Sequence, residues 1–135
     1  MTEQELTEMN KARAAGFNGY CGVTIEQAHD GFSRVSCRIQ DQHLNPHGIA
    51  HGGAIFTLMD TAAGVAGTTS SGGRKVVTQC ADVHFLRPMK PGLLHAEGTV
   101  IKSGRQTALI TVNALGEDGV LHAYGTFEIF YLDKP

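Results

Sequence analysis

Asn45-Pro46-His47-Gly48-Ile49-Ala50-His51-Gly52-Gly53 runs directly into Ala54-Ile55-Phe56-Thr57-Leu58-Met59-Asp60-Thr61-Ala62-Ala63-Gly64-Val65-Ala66-Gly67. The first part, rich in Pro and Gly, reads as a loop; the second predicts about four turns of helix, apolar nearly all the way round. A surface helix would carry a polar face, so this one is expected to lie buried inside a sheet. Asp60 sits mid-helix with no cation within four residues on either side. Burial would neutralise such a carboxylate or demand a special partner for it.

At about 100° per residue, Ile55, Leu58, Met59, Ala62, Val65 and Ala66 share one broad side of this helix, and Asp60 lies opposite with Gly53, Phe56, Thr57, Ala63, Gly64 and Gly67. Each glycine within a helix costs about 1 kcal/mol against alanine. Glycines on the acidic side therefore indicate the close approach of a ligand or of another backbone, or ordinary helix packing.

The 135 residues, 41% apolar, make one domain with room for a genuine core. We divide it into an N-terminal helical segment (1–16) and a core (17–132). A net charge of -2 with scattered basic residues leaves no electrostatic footprint for nucleic acid. No apolar run reaches membrane-spanning length, and Met1-Thr2-Glu3-Gln4-Glu5 is acidic where a secretory signal would be basic, so a soluble cytoplasmic protein is expected. Cys21, Cys37 and Cys80, far apart in strand-like sequence, read as small buried hydrophobes, not as a disulfide frame or a zinc site.

Glu3 to Ala15 predicts a short covering helix ended by Gly16. Alternating runs at Tyr20–Ala28 and Phe32–Ile39 predict a hairpin turning at His29-Asp30-Gly31. Beyond the central helix, strands are expected at Lys75–Leu86, Leu93–Ile101, Gln106–Leu115 and Leu121–Leu132, in a meander separated by turn-forming clusters. In the last of these, Leu121, Ala123, Phe127, Ile129 and Tyr131 oppose His122, Thr126 and Glu128, so one face should cover the central helix.

Two strands, a long buried helix and four strands, with a curved antiparallel sheet of five to six strands wrapped round the helix, describe an α+β architecture of hotdog type. The motif Asn45-x-x-Gly48-x-x-His51-Gly52-Gly53-x-x-x-x-Leu58-x-Asp60, with Phe85-Leu86-Arg87-Pro88 beyond it, resembles the PaaI-like (phenylacetic acid degradation type) hotdog acyl-CoA thioesterases over roughly residues 20–131. The resemblance implies that Asp60 activates water or attacks the thioester carbonyl itself, and that the Gly52 N–H polarises that carbonyl. It places Asn45 beside the same carbonyl, His51 in the accompanying loop, and Thr78 where a hydroxyl helps to hold the water. Thr78 has the wrong strand parity relative to Val77, Ala81, Val83 and Phe85, so a bulge or another face assignment is required.

The chemistry can be argued without the family. Hydrolysis develops negative charge on the carbonyl oxygen, and free N–H groups at a helix start are suited to receive it. A desolvated carboxylate gains basicity. His51 and Asp60 are nine residues apart, or about 13 Å along the axis and about 180° round it. One straight helix therefore does not aim both at a single carbonyl, and a homodimer with composite sites is expected. Only the resemblance suggests that two dimers pair into a tetramer.

Other readings follow from the same residues. His51 could simply cap loop groups. His43, His47 and His51 recur every four residues, but Pro46 and Gly48 break any helix that would present them to a metal. Lys90, Lys102, Arg105, and also Arg74 or Arg87, sit on turns where they could hold coenzyme A phosphates. No cofactor is implied. Phe56, Met59 and Phe85 line an aryl or medium-chain pocket or fill the core. Two further classes are weighed beside the hydrolase: a non-catalytic acyl-CoA-binding module, and a hotdog enoyl-CoA hydratase or dehydratase.

Overall fold

The computed structural model describes residues 1–133. Helix α1 (Glu3–Ala14) starts at a capping box in which the Thr2 hydroxyl and Glu5 satisfy each other's backbone N–H groups. A second short helix, α2 (Phe17–Cys21), follows and ends on Gly22 at φ 74°. The first strand accordingly begins at Val23 and not at Tyr20, and Cys21 lies on a helix: the left-handed glycine terminates α2 before the apolar alternation can start.

The six strands are β1 (Val23–His29), β2 (Phe32–Ile39), β3 (Val76–Phe85), β4 (Gly92–Ser103), β5 (Thr107–Gly116) and β6 (Leu121–Tyr131). They form one antiparallel sheet in the order β1-β2-β4-β5-β6-β3. The β1–β2 turn is where the sequence placed it, with Asp30 and Gly31 at φ 48° and 80°. The meander is only partial. Strands β4, β5 and β6 follow one another, but β3 pairs with β6 at the far edge and β2 takes the place beside β4. Pro88 and Pro91 prevent Arg87–Gly92 from closing a tight hairpin, and an extended connection of this length reaches across about 14 Å, three strand spacings. The loop is tied down where Leu86 N–H donates to the His122 carbonyl and Ala50 N–H to the Met89 carbonyl.

Helix α3 (Gly52–Ser70) lies in the hollow of this sheet and touches every strand. Ile55, Leu58, Met59, Ala62, Val65 and Ala66 are all buried, as the apolar side predicts. Ala63 and Gly67 from the opposite side are buried as well. Gly67 is explained by packing: a Cβ there would collide with Ile129 of β6. At Ala62 the helix backbone approaches the sheet closely enough for its carbonyl to accept from Ser33 Oγ, and a Cβ at Gly98 would stand 2.8 Å from that oxygen. Cys37 belongs to the core, whereas Cys21 is half-buried and Cys80 is exposed on β3, the outward register opposite Glu128 overriding its apolar character.

Helix α1 packs Leu6 and Met9 against the core and is hydrogen-bonded to the sheet edge through Asn10. Asn10 Nδ2 donates to the Ile25 carbonyl at 2.8 Å and its Oδ1 accepts the Ile25 N–H at 2.7 Å. It thereby satisfies backbone groups that a neighbouring strand would otherwise meet.

Candidate active site

The loop before α3 carries the first group of candidate residues. His51 is the N-cap residue of the helix, its Nδ1 accepting the Gly53 N–H at 2.8 Å, so the capping role is the one the structure shows. Gly52, the first helical residue, has no intrahelical acceptor for its N–H, which points out from the positive end of a 19-residue helix. A Cβ at Gly52 would come 3.4 Å from the Phe85 ring.

Asn45 folds the loop back on itself. Its Oδ1 accepts the N–H groups of His47 at 2.9 Å and Ile49 at 3.4 Å. This fixes which end of the amide is oxygen and leaves Nδ2 with donors to offer. Asn45, Ala50, Gly52, Ile55, Phe85 and Arg87 line a common cavity of about 330 Å³. Asn45 and Gly52 thus bring two kinds of N–H donor to one cavity, the type of group suited to a carbonyl oxygen acquiring charge.

The second group of candidate residues lies further along α3. Thr78 Oγ1 donates to Asp60 Oδ1 at 2.6 Å, the short distance of a hydroxyl bonded to a carboxylate. The parity obstacle is removed by a register shift between Thr78 and Cys80, which sets Thr78 opposite the buried Ile129 and Ala81 opposite Phe127. Gln79 is the extra residue, so Thr78 and Ala81 both face the helix. Asp60 is half-buried, less enclosed than the apolar helix suggests, because a cavity of about 570 Å³ opens beside it.

The walls of that cavity include Arg13, Phe17 and Asn18 from the N-terminal helices, with Asp60, Gly64 and Thr78. Partial burial lowers the pKa of Arg13 from its ordinary value. Asn18 meets α3 through Thr61 Oγ1 at 3.3 Å. Sequence reading missed these three residues; on a short segment with no sustained periodicity or motif, nothing marks which side chains turn inward.

The two cavities share no lining residue. Within one chain, Asn45 and Gly52 come together, Asp60 and Thr78 come together, and the pairs stay apart. Of the cations, Arg87 lines the Gly52 cavity while its Nη1 donates to the Leu121 carbonyl. Lys90 lies on the adjoining loop surface. Lys102 and Arg105 line neither cavity; Arg105 is near the far end of β3, its carbonyl accepting from Arg74 Nη1. Among the described residues no cluster of three His, Cys, Asp or Glu side chains is set to hold a metal, and no helix is long and apolar enough to cross a membrane.

The profile of the Thioesterase superfamily matches residues 47–123, from the loop before α3 into β6. The chain belongs to that superfamily. Its PaaI-like character is equally plain. Acyl-coenzyme A thioesterase PaaI of Escherichia coli is 33% identical over 97 residues, covering 71% of this chain and 68% of that protein. The structure of the E. coli PaaI protein from the phenylacetic acid degradation operon superposes with a TM-score of 0.88 at 26% identity, covering 97% of this chain and 93% of the other. The smu.793 protein of Streptococcus mutans, solved bound to acetyl CoA, gives a TM-score of 0.78 at 29% identity over 83% and 90% of the two chains. The α3 loop and the sheet order thus belong to a PaaI-like hotdog thioesterase, and the chain is a thioester hydrolase.

Proposed function

We propose that this thioesterase hydrolyses aryl or medium-chain acyl-CoA thioesters at composite sites in a homodimer. The Gly52 N–H and the Asn45 amide of one protomer would receive the carbonyl oxygen, and Asp60 of the other would act on the carbonyl carbon, directly or through water. The observation that carries this reading is the separation of the two cavities in a single chain: the oxyanion donors and the carboxylate are each prepared for chemistry and neither can complete it alone.

Two features support the assembly. Strand β3 ends the sheet with its outer edge unpaired, and Val77, Phe85 and Leu86 are 44%, 52% and 50% exposed there. An uncovered, apolar edge strand is a pairing surface. Thr78 supports the chemistry, since its hydroxyl orients one carboxylate oxygen and leaves the other to act as base or nucleophile. The coenzyme is the natural thiol because PaaI of E. coli is named for acyl-coenzyme A and smu.793 was solved with acetyl CoA. Arg87 and Lys90, beside the carbonyl cavity, are then better placed for its phosphates than Lys102 or Arg105.

The test is thiol release from a panel of aryl and alkyl acyl-CoAs, with Asp60→Asn as the control. We expect turnover by the native protein and a loss of roughly 10²- to 10⁴-fold in the variant. Full activity in Asp60→Asn would refute the assignment. Binding without thiol release would indicate a ligand-binding module, and hydration of an enoyl-CoA without thiol release would indicate chemistry on the acyl chain.

A further inference from the structure

His43 is 6% exposed, lies two residues before Asn45, and touches neither cavity. Its ring nevertheless organises the carbonyl-binding loop. Nδ1 accepts the Gln40 N–H at 3.0 Å, and a nitrogen that accepts carries no proton, so in the neutral ring the proton is on Nε2. Nε2 stands 2.7 Å from the Cys21 carbonyl, to which it donates. The carbonyl of His43 itself accepts the His51 N–H at 2.7 Å. One residue thus joins the end of β2, the end of α2 and the cap of α3.

We propose that His43 is a positioning residue for thioester hydrolysis, holding the Asn45 loop and the start of α3 at the separation that a carbonyl oxygen needs. The inference rests on the assignment of Asn45 and Gly52 to the carbonyl given above. The loop has few other constraints. Asn45 N–H donates to Ile49 O, Leu44 bridges to Ala50, and Ala50 N–H donates to Met89 O. Of these only the last leaves the loop; the His43 and Leu44 N–H groups tie its start to the Gln40 and Asp41 carbonyls after β2, and the His43 ring adds the bond that joins it to α2.

The neighbouring thiol suggests a different role, which the geometry rejects. Cys37 Sγ is 3.7 Å from His43 Nε2, a pairing that in other settings produces a nucleophilic thiolate. Here the Nε2 proton is directed at the Cys21 carbonyl, and the thiol points at the same oxygen at 3.3 Å. No lone pair of the ring faces the sulfur. Burial also pushes the Cys37 thiol up to about 11, the opposite of activation.

The experiment measures kcat and KM for thiol release from phenylacetyl-CoA and hexanoyl-CoA, and the thermal midpoint, for His43→Ala, His43→Gln and His43→Asn. Asp60→Asn and Asn45→Ala are measured alongside. His43→Ala should lower kcat by about 10- to 100-fold, the scale of a misplaced site, with KM changed by less than about threefold, since the lost alignment is felt in the transition state. His43→Gln keeps a donor that can reach the Cys21 carbonyl and should recover most of kcat. His43→Asn keeps only the acceptor for Gln40 and should not.

Wild-type kcat in His43→Ala overturns the proposal. So does failure of all three variants to fold, or a loss that follows the folded fraction alone, because each makes His43 a matter of stability. If Asn45→Ala and Asp60→Asn both retain activity, the site assignment falls and this inference with it. If those two are crippled while His43→Ala is not, only the role of His43 is lost.

Discussion

Substituting Gly52→Pro removes one N–H and little else. Gly52 is the first residue of α3, where proline's fixed φ suits the helix and its missing N–H breaks no internal bond. His51, at φ -63° and ψ 138°, already has the extended conformation that a following proline requires. The new ring would press on Phe85, whose ring lies 3.4 Å from a Cβ at this position but is half exposed and free to turn aside. Removing one donor to an oxyanion costs about 10²- to 10³-fold in kcat.

Gly52→Pro and Asp60→Asn should each be nearly inactive alone. When the two are mixed in equal amounts in urea and refolded, half of the dimers contain one chain of each kind. In such a dimer, one site combines Gly52 from the Asp60→Asn chain with Asp60 from the Gly52→Pro chain, and the other site carries both lesions. The mixture should therefore recover about a quarter of wild-type activity. Thiol release before and after refolding measures this. A mixture no more active than its components would refute the composite site, because it would place both groups of each site within one protomer.

Thr78→Val, which keeps the shape and removes the hydroxyl, should lower kcat by about tenfold with KM little changed, while Thr78→Ser retains most activity; equal kinetics for the two would remove Thr78 from the reaction. Gly67→Ala drives a methyl group into Ile129 and should cost about 1 to 3 kcal/mol in urea denaturation. Asn10→Ala strands the N–H and carbonyl of Ile25 and should cost about 1 to 3 kcal/mol, read as a fall of several degrees in thermal midpoint. Burial, and secondarily Cys21, pushes the Cys37 thiol up from its ordinary value of 9.0 to about 11. The folded state thus holds its proton longer, and the stability this residue contributes is complete below pH 9 and declines as pH rises towards 11. Denaturant melts of Cys37→Ala should show a shallower decline over that interval.

Much of the fold was legible because the patterns were local. The buried side of α3 follows from the spacing of Ile55, Leu58, Met59, Ala62, Val65 and Ala66, and the hairpin from Asp30-Gly31. The position of β3 was not legible, since pairing with β6 instead of β4 is decided between segments far apart in sequence. Asp60 could be singled out as an acid without local partners, and its actual partner, Thr78, could be read only as a parity conflict that the Gln79 bulge resolves. Phe17 and Asn18 gave no signal because α2 is a single short turn stopped by Gly22. The ring of His43 was read against a metal and not for its bonds, which join Gln40 and Cys21 across 22 positions of sequence or fewer.

Strand β3 also acts as a ruler. Thr78 contributes to the acid cavity and Phe85 to the carbonyl cavity, and because Gln79 is an extra residue in the ladder the two are equally far along it from Asp82, which marks their midpoint. Two copies of this edge running in opposite directions about that midpoint would lay each Thr78 beside Phe85 of the partner subunit. A single two-fold axis would then bring both acids to both receptors at once. Sliding the seam by one pair of residues would displace the two reaction centres together, by about 7 Å each, so catalysis in such an assembly reports directly on the alignment of its seam.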